Sequence, residues 1–221
     1  MKMLERAGTF LLSLAFPKIC ISCNREGTHL CEDCLALLPV NQWVYPLPTS
    51  SRLSSLFAAV SYEERLAQLL IRQLKYPPFL RDLPAQCAYL IGAHIALARP
   101  QQDFSDFLLC PVPLHKRRLK WRGYNHAEEI AKQLGRVLSL PVVTKALVKT
   151  KGTLPQVNLN KETRLKNMRG VFGIQNGEEI RGKQIILVDD VFTTGATMDE
   201  CARVLKKAGA HEVFGAVVAR D

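Results

Sequence analysis

Asp189 and Asp190 stand side by side after the apolar run Ile185-Ile186-Leu187-Val188 and shortly before Thr193, Thr194, Gly195, Ala196 and Thr197. Adjacent carboxylates accept hydrogen bonds from vicinal hydroxyls and repel phosphate. Bare amides, threonine hydroxyls and the positive end of a helix dipole do the reverse and attract an anion. The order therefore suits a ribose 5-phosphate, with its diol on Asp189 and Asp190 and its phosphate over residues 193–197. A Thr-capped helix after an acidic strand end accounts for only part of the series, because capping needs one Ser, Thr or Asp. A strand ending in two aspartates also fits a nucleotide triphosphatase. That reading needs Gly-x-x-x-x-Gly-Lys followed by Ser or Thr, and the nearest match, Gly177 to Gly182-Lys183, has Gln184 in the hydroxyl position.

A second group able to do chemistry is Cys20-x-x-Cys23, seven residues, then Cys31-x-x-Cys34. Each pair can present two thiolates to one cation, and two pairs complete a tetrahedral zinc site. A redox pair would sit beside a βαβ unit, which residues 24–30 do not show; an iron–sulfur site is the remaining alternative. The zinc is read as structural, since about forty residues bury too little apolar surface to fold without a staple. His29 is read as a surface loop residue, and Cys87, Cys110 and Cys201, alone at apolar positions, as core thiols.

Charge provides a third signal. The 221 residues carry a formal net charge of +10 and a sequence pI near 9.4. Such an excess favours polyanions without choosing among them. Lys116, Arg117, Arg118, Lys120 and Arg122 fall together with Trp121 and Tyr124 interleaved and no acid among them. Cations for backbone phosphates with aromatic faces for unstacked bases make this a candidate for single-stranded nucleic acid. The competing reading, in which Arg118 and Arg122 serve a pyrophosphate and the others are merely solvated, carries equal weight. A second basic stretch holds Lys145, Lys149, Lys151, Lys161, Arg164, Lys166 and Arg169 against Glu162 alone.

The elements that must position these groups follow from periodicity and breakers. Leu4, Ala7, Leu11 and Leu12 trace one face of an amphipathic helix, too short an apolar run to span a bilayer. With no spanning segment elsewhere, the expected location is the cytoplasm. Pro39, Pro46, Pro48 and Thr49-Ser50-Ser51 mark a joint, giving residues 1–45 as helix plus cysteine module and 50–221 as the main domain. Strands are expected over Leu56–Tyr62, Phe107–Pro111, Val142–Lys149, Val171–Ile174, Ile185–Val188 and Val213–Val218. Helices are expected around Leu66–Leu74, Pro84–Ala98, Asn125–Leu138 and after Gly195, with residues 150–170 a long basic loop able to close over a ligand. This alternation implies a doubly wound, mainly parallel α/β sheet, with Asp189 and Asp190 at the carboxyl end of a buried strand.

The segment Ile185–Thr197 resembles the phosphoribosyl pyrophosphate (PRPP) motif of type I phosphoribosyltransferases. Pro111-Val112-Pro113-Leu114-His115, Arg118, Arg122-Gly123-Tyr124-Asn125 and Glu128 are similar to the ComF family of competence proteins. So are Thr150 through Gln156, Leu159, Arg164, Asn167 and Phe172, and the paired cysteines complete that arrangement. The resemblance implies a type I phosphoribosyltransferase-like domain that binds PRPP with magnesium. In it Pro113, Leu114, His115 and Lys116 form the pyrophosphate loop, with Arg118, Arg122 and Lys75 as cations for the leaving group. It also implies a cytoplasmic factor handling single-stranded DNA in natural transformation, with other competence proteins as partners. The alternative is an active transferase moving ribose 5-phosphate from PRPP to a nitrogen acceptor; no hood that would seat an acceptor can be identified in the sequence.

Overall fold

The computed structural model describes residues 17–152 and 168–221. The amphipathic helix expected at the amino-terminal end therefore lies outside the described residues, as do Gln156, Leu159, Lys161, Arg164, Lys166 and Asn167.

Runs such as Ile185–Val188 are apolar without alternation because both faces of their sheet are covered. Strands β1 (Leu56–Ser61), β2 (Phe107–Pro111), β5 (Gln184–Phe192) and β6 (Glu212–Arg220) form one parallel sheet in the order β1-β6-β5-β2. Val142 adds a single parallel bridge to Leu109 at the β2 edge. On one face, Ile186, Val188, Ala216 and Phe57 pack against helices α2 (Arg65–Lys75), α3 (Leu83–Ala98) and α5 (His126–Leu138) through Leu70, Ile91 and Ile130. On the other, Ile185, Leu187, Val213 and Val217 pack against α6 (Ala196–Lys207) through Met198, Cys201 and Leu205. The sheet is thus doubly wound. A two-stranded antiparallel ribbon, β3 (Leu147–Lys149) with β4 (Phe172–Ile174), lies on the α6 side.

Three expectations change. Val142–Lys149 is not one strand: Val142 belongs with the α5-side core, whereas Ala146 and Leu147 are buried on the α6 side, so the chain leaves the sheet between them. The basic run opens a short helix, α4 (Lys116–Arg122), because lysine, arginine and leucine are good helix formers even where no apolar stripe announces them. Strand β5 runs past the aspartates to Phe192, since β6 continues beside it and pairs Ala219 with Val191 and Arg220 with Phe192. The strand that stops is β2, whose Pro111 pairs Val188.

The cysteine segment does not stand apart from this core. Cys20, Leu30, Cys31, Cys34 and Leu38 share an apolar cluster with Leu70, Leu74, Cys87 and Leu90. Lys18 Nζ lies 2.9 Å from Asp82 Oδ2 and His29 Nδ1 2.7 Å from Asp82 Oδ1, fastening the segment just ahead of α3. No helix among the described residues is long and apolar enough to cross a membrane.

Candidate functional site

With β2 finished at Pro111, the next two residues of β5 have no strand on that side, and Asp189 and Asp190 stand in the opening. Asp190 is almost fully enclosed. Lys75, the last residue of α2, places Nζ 2.8 Å from Asp190 Oδ2. His126, the first residue of α5, places Nε2 3.3 Å from the same oxygen and 3.9 Å from Asp189 Oδ1. Burial alone would raise the Asp190 carboxyl, but the Lys75 ammonium and His126 outweigh it and hold the group well below the usual carboxylate range. Asp189, half-buried, behaves oppositely: burial and the neighbouring Asp190 charge push it up to about 6. Ligand atoms of His126, Asp189 and Asp190 lie within 4.8 Å of one another, close enough for a metal. Cations from Lys75 and Arg122 already occupy the surroundings, which favours hydroxyl groups over a further cation.

Each neighbour is held by its own local chemistry. Asn125 caps α5 by accepting from Ala127 N at 3.2 Å, and its Nδ2 donates to Val112 O at 3.1 Å, tying the loop after β2 to that helix. Tyr124 Oη donates to Leu74 O at 2.8 Å and so anchors the end of α2 that carries Lys75. Gly123, at φ +78, ends α4 in the left-handed conformation and turns Arg122 and His126 toward the same place. Arg122 Nη1 then lies 2.6 Å from His126 Nδ1.

The candidate anion cradle, residues 193–197, follows β5 directly. Thr193 is exposed, Thr194, Gly195 and Thr197 are half-buried and Ala196 is buried. Gly195 is the α6 N-cap, and among the described residues no side chain caps the helix, which leaves its first-turn amides available to an anion. Gly195 has φ +76, and a Cβ there would come 2.5 Å from Phe192 Cζ. Gly195→Ala is expected to cost about 1–2 kcal/mol, the left-handed penalty plus displacement of the ring; an unchanged urea midpoint would contradict this.

The loop Pro113–His115 is half-buried, and His115 serves as a cap, Nδ1 accepting from Arg117 N at 3.3 Å. Gly152, in the second basic stretch, lies beside it, since a Cβ there would be 3.5 Å from His115 Cε1. The basic run divides. Lys116, Arg117, Arg118, Lys120 and Trp121 are exposed, Trp121 at 58%, with Phe79 edge-on to the indole at 5.5 Å. Arg122 and Tyr124 are buried, each 8% exposed, and face the aspartates and α2, which withdraws both from the accessible basic surface. Their place in a basic run hides this inward turn. Burial and the nearby Arg118 charge pull the Lys149 ammonium down, and its Nζ lies 5.4 Å over the Phe172 ring.

In the cysteine site, Cys20 Sγ is 3.7 Å and Cys23 Sγ 3.6 Å from Cys31 Sγ, and all four sulfurs lie within 4.8 Å of one another. A tetrahedron with zinc–sulfur bonds of about 2.3 Å has edges of about 3.8 Å, so the donor set fits zinc. Burial would raise the Cys20 thiol, but backbone amides of Cys23, Cys31 and Ser22 outweigh it and bring it to about 6. His29 pairs with Asp82 and supplies no fifth ligand. Cys110 and Cys201 are buried with thiols pushed up, Cys110 to about 12, as inert core groups.

His126 is the residue that sequence reasoning missed. Nothing in the periodicity of α5 separates a site histidine from any residue after an Asn cap; its proximity to Arg122 across a glycine was the one available sign.

Comparison with known proteins adds what geometry alone does not. Residues 119–221 match the family model for the phosphoribosyl transferase domain. The chain is 33% identical over 196 residues to the DNA utilization protein YhgH of Escherichia coli O6:H1, covering 88% of this chain and 81% of that one. It is 27% identical over 198 residues to competence protein ComFC of Bacillus subtilis, covering 86% and 72%. With competence protein F of Haemophilus influenzae it shares 35% identity over 106 residues, which span 48% of this chain and only 46% of that one.

Proposed function

As the chain belongs to the ComF family of competence proteins and carries a phosphoribosyltransferase domain, we propose that it is a cytoplasmic competence factor that binds PRPP with magnesium and handles single-stranded DNA during uptake. The observation that carries the reading is the opening beside β2, where a carboxylate pair, its Asp190 held ionised by Lys75 and His126, precedes a helix start that no described side chain caps. Asp189 and Asp190 would take the ribose diol, and the amides and hydroxyls of Thr193, Thr194, Gly195, Ala196 and Thr197 the 5-phosphate. The pyrophosphate would lie against the loop Pro113, Leu114, His115 and Lys116, with Arg118 and Arg122 as guanidinium donors to its oxygens. Magnesium, brought with the ligand, would supply charge neutralisation for that pyrophosphate. Cys20, Cys23, Cys31 and Cys34 would hold a structural zinc ion.

DNA would follow the exposed face of α4, phosphates on Lys116, Arg117, Arg118 and Lys120 and a base on Trp121. Arg122 and Tyr124 then support that surface from beneath. The names of the relatives, two competence proteins and a DNA utilization protein, support this half of the reading. Binding of fluorescent oligothymidylate at rising salt tests it. The expected result is binding that weakens steeply with ionic strength, and a further loss of about five- to tenfold for Trp121→Ala, the worth of one stacked base. No binding at low ionic strength would refute the DNA role.

A further inference from the structure

The contacts of His126 have a direction that arginine chemistry dictates. A guanidinium carries N–H donors and no lone pair, so across the 2.6 Å contact Arg122 Nη1 donates and His126 Nδ1 accepts. Nδ1 therefore bears no proton. That leaves Nε2 as the protonated nitrogen, and it faces Asp190 Oδ2 in an ion-pair contact of 3.3 Å. Arg122, His126 and Asp190 are 8%, 6% and 2% exposed, so the contacts among them are largely shielded from solvent. Lys75 holds the same Asp190 oxygen at 2.8 Å, and Asp189 Oδ1 lies 3.9 Å from Nε2, so these four charged groups complete the surroundings of the ring. The chain has two loose ends, one at each extremity. Among the described residues, neither buried Arg122 Nε nor buried Asp190 Oδ2 finds a well-aligned hydrogen-bond partner, the latter meeting Lys75 and His126 as ion-pair contacts. Buried polar groups in native proteins are almost always satisfied, and a ligand that brings an acceptor to Arg122 and a hydroxyl donor to Asp190 would complete both.

We propose that His126 is a positioning residue that couples the two ends of the ligand site: through its ring the orientation of the phosphate-facing Arg122 is tied to that of the diol-facing Asp190. The inference rests on the PRPP reading above, which assigns those two ends, and adds the link between them. A ligand carrying both pyrophosphate and diol engages both ends of a preformed chain and gains from the coupling; a fragment carrying one of them does not. What position 126 requires is polarity, an acceptor toward Arg122 and a donor toward Asp190. Glutamine offers both through its amide, and alanine offers neither.

The test is calorimetric titration of PRPP, pyrophosphate and ribose 5-phosphate, each with magnesium, into wild type, His126→Gln and His126→Ala. His126→Ala should weaken PRPP about tenfold or more and each fragment by less than about threefold, while His126→Gln stays within about threefold of wild type throughout. Ring-labelled nitrogen spectra of the ligand-free wild type should show Nε2 protonated and Nδ1 bare. The glutamine variant keeps the test decisive if alanine impairs folding. Fragments losing as much as PRPP, glutamine as damaging as alanine, or a proton on Nδ1 would each overturn the coupling. A wild type that binds no PRPP would instead overturn the parent reading and the coupling with it.

Discussion

Stripping the cysteine site of zinc will loosen residues 17–45 and lower the thermal midpoint of the whole protein by about 10 °C. Structural zinc contributes about 10–16 kcal/mol of apparent binding energy to small modules near neutral pH, far more than so short a segment gains from its own core. Cys20, Cys31 and Cys34 are buried, and their cluster includes Leu70, Leu74 and Cys87 of α2 and α3, so the damage spreads beyond the module. A loss of about 3–5 kcal/mol in the main domain corresponds to the stated shift for a chain of this size. Zinc analysis of natively purified protein, followed by scanning calorimetry with and without chelator, measures both quantities. Zinc well below one per chain, or a midpoint unmoved by chelation, would contradict the structural role. The Asp82 anchors to Lys18 and His29 predict where the loosening begins.

Asp190→Asn is expected to weaken PRPP binding about 100-fold and to destabilise the protein by about 2–4 kcal/mol. The first effect is the loss of charge-assisted hydrogen bonds to the diol. The second arises because the Lys75 ammonium, 2.8 Å away and largely covered, is left without its counter-charge. Lys75→Met alone should destabilise for the converse reason, by uncovering the Asp190 charge. The double variant should then cost less than the sum of the two, a coupling that urea unfolding of all four proteins can read. Strict additivity would mean that the ion pair contributes nothing to the native state.

What could be read from the sequence is what local pattern determines. The β5 run was legible because a strand covered on both faces has no reason to alternate, and the helix expected over Asn125–Leu138 was legible in its extent, though not the capping role of Asn125. The cysteine spacing, too, carries its own geometry. Other features depend on segments far apart in the chain. That β5 outlasts β2 follows from the length of β6 beside it, so Asp189 and Asp190 stand at the end of β2 and not at the end of their own strand. Lys75, Arg122 and His126 meet only once α2, α4 and α5 have packed on one face of the sheet. Arg122 and Tyr124 sit in a run that looks uniformly exposed, and it takes the left-handed turn at Gly123 to send them inward while Trp121 stays outside. The helical form of residues 116–122 was invisible for a related reason: its outer surface is charged and no periodic apolar face marks it.

The central claim is that a carboxylate pair and a helix start converge on one phosphorylated pentose. Titration of PRPP with magnesium into wild type and Asp190→Asn, followed by calorimetry and repeated with a single-stranded oligonucleotide present, tests it most directly. The account predicts one PRPP bound per wild-type chain and a roughly hundredfold loss in the variant. Absence of binding to wild type, or equal binding by a folded Asp190→Asn protein, would contradict it.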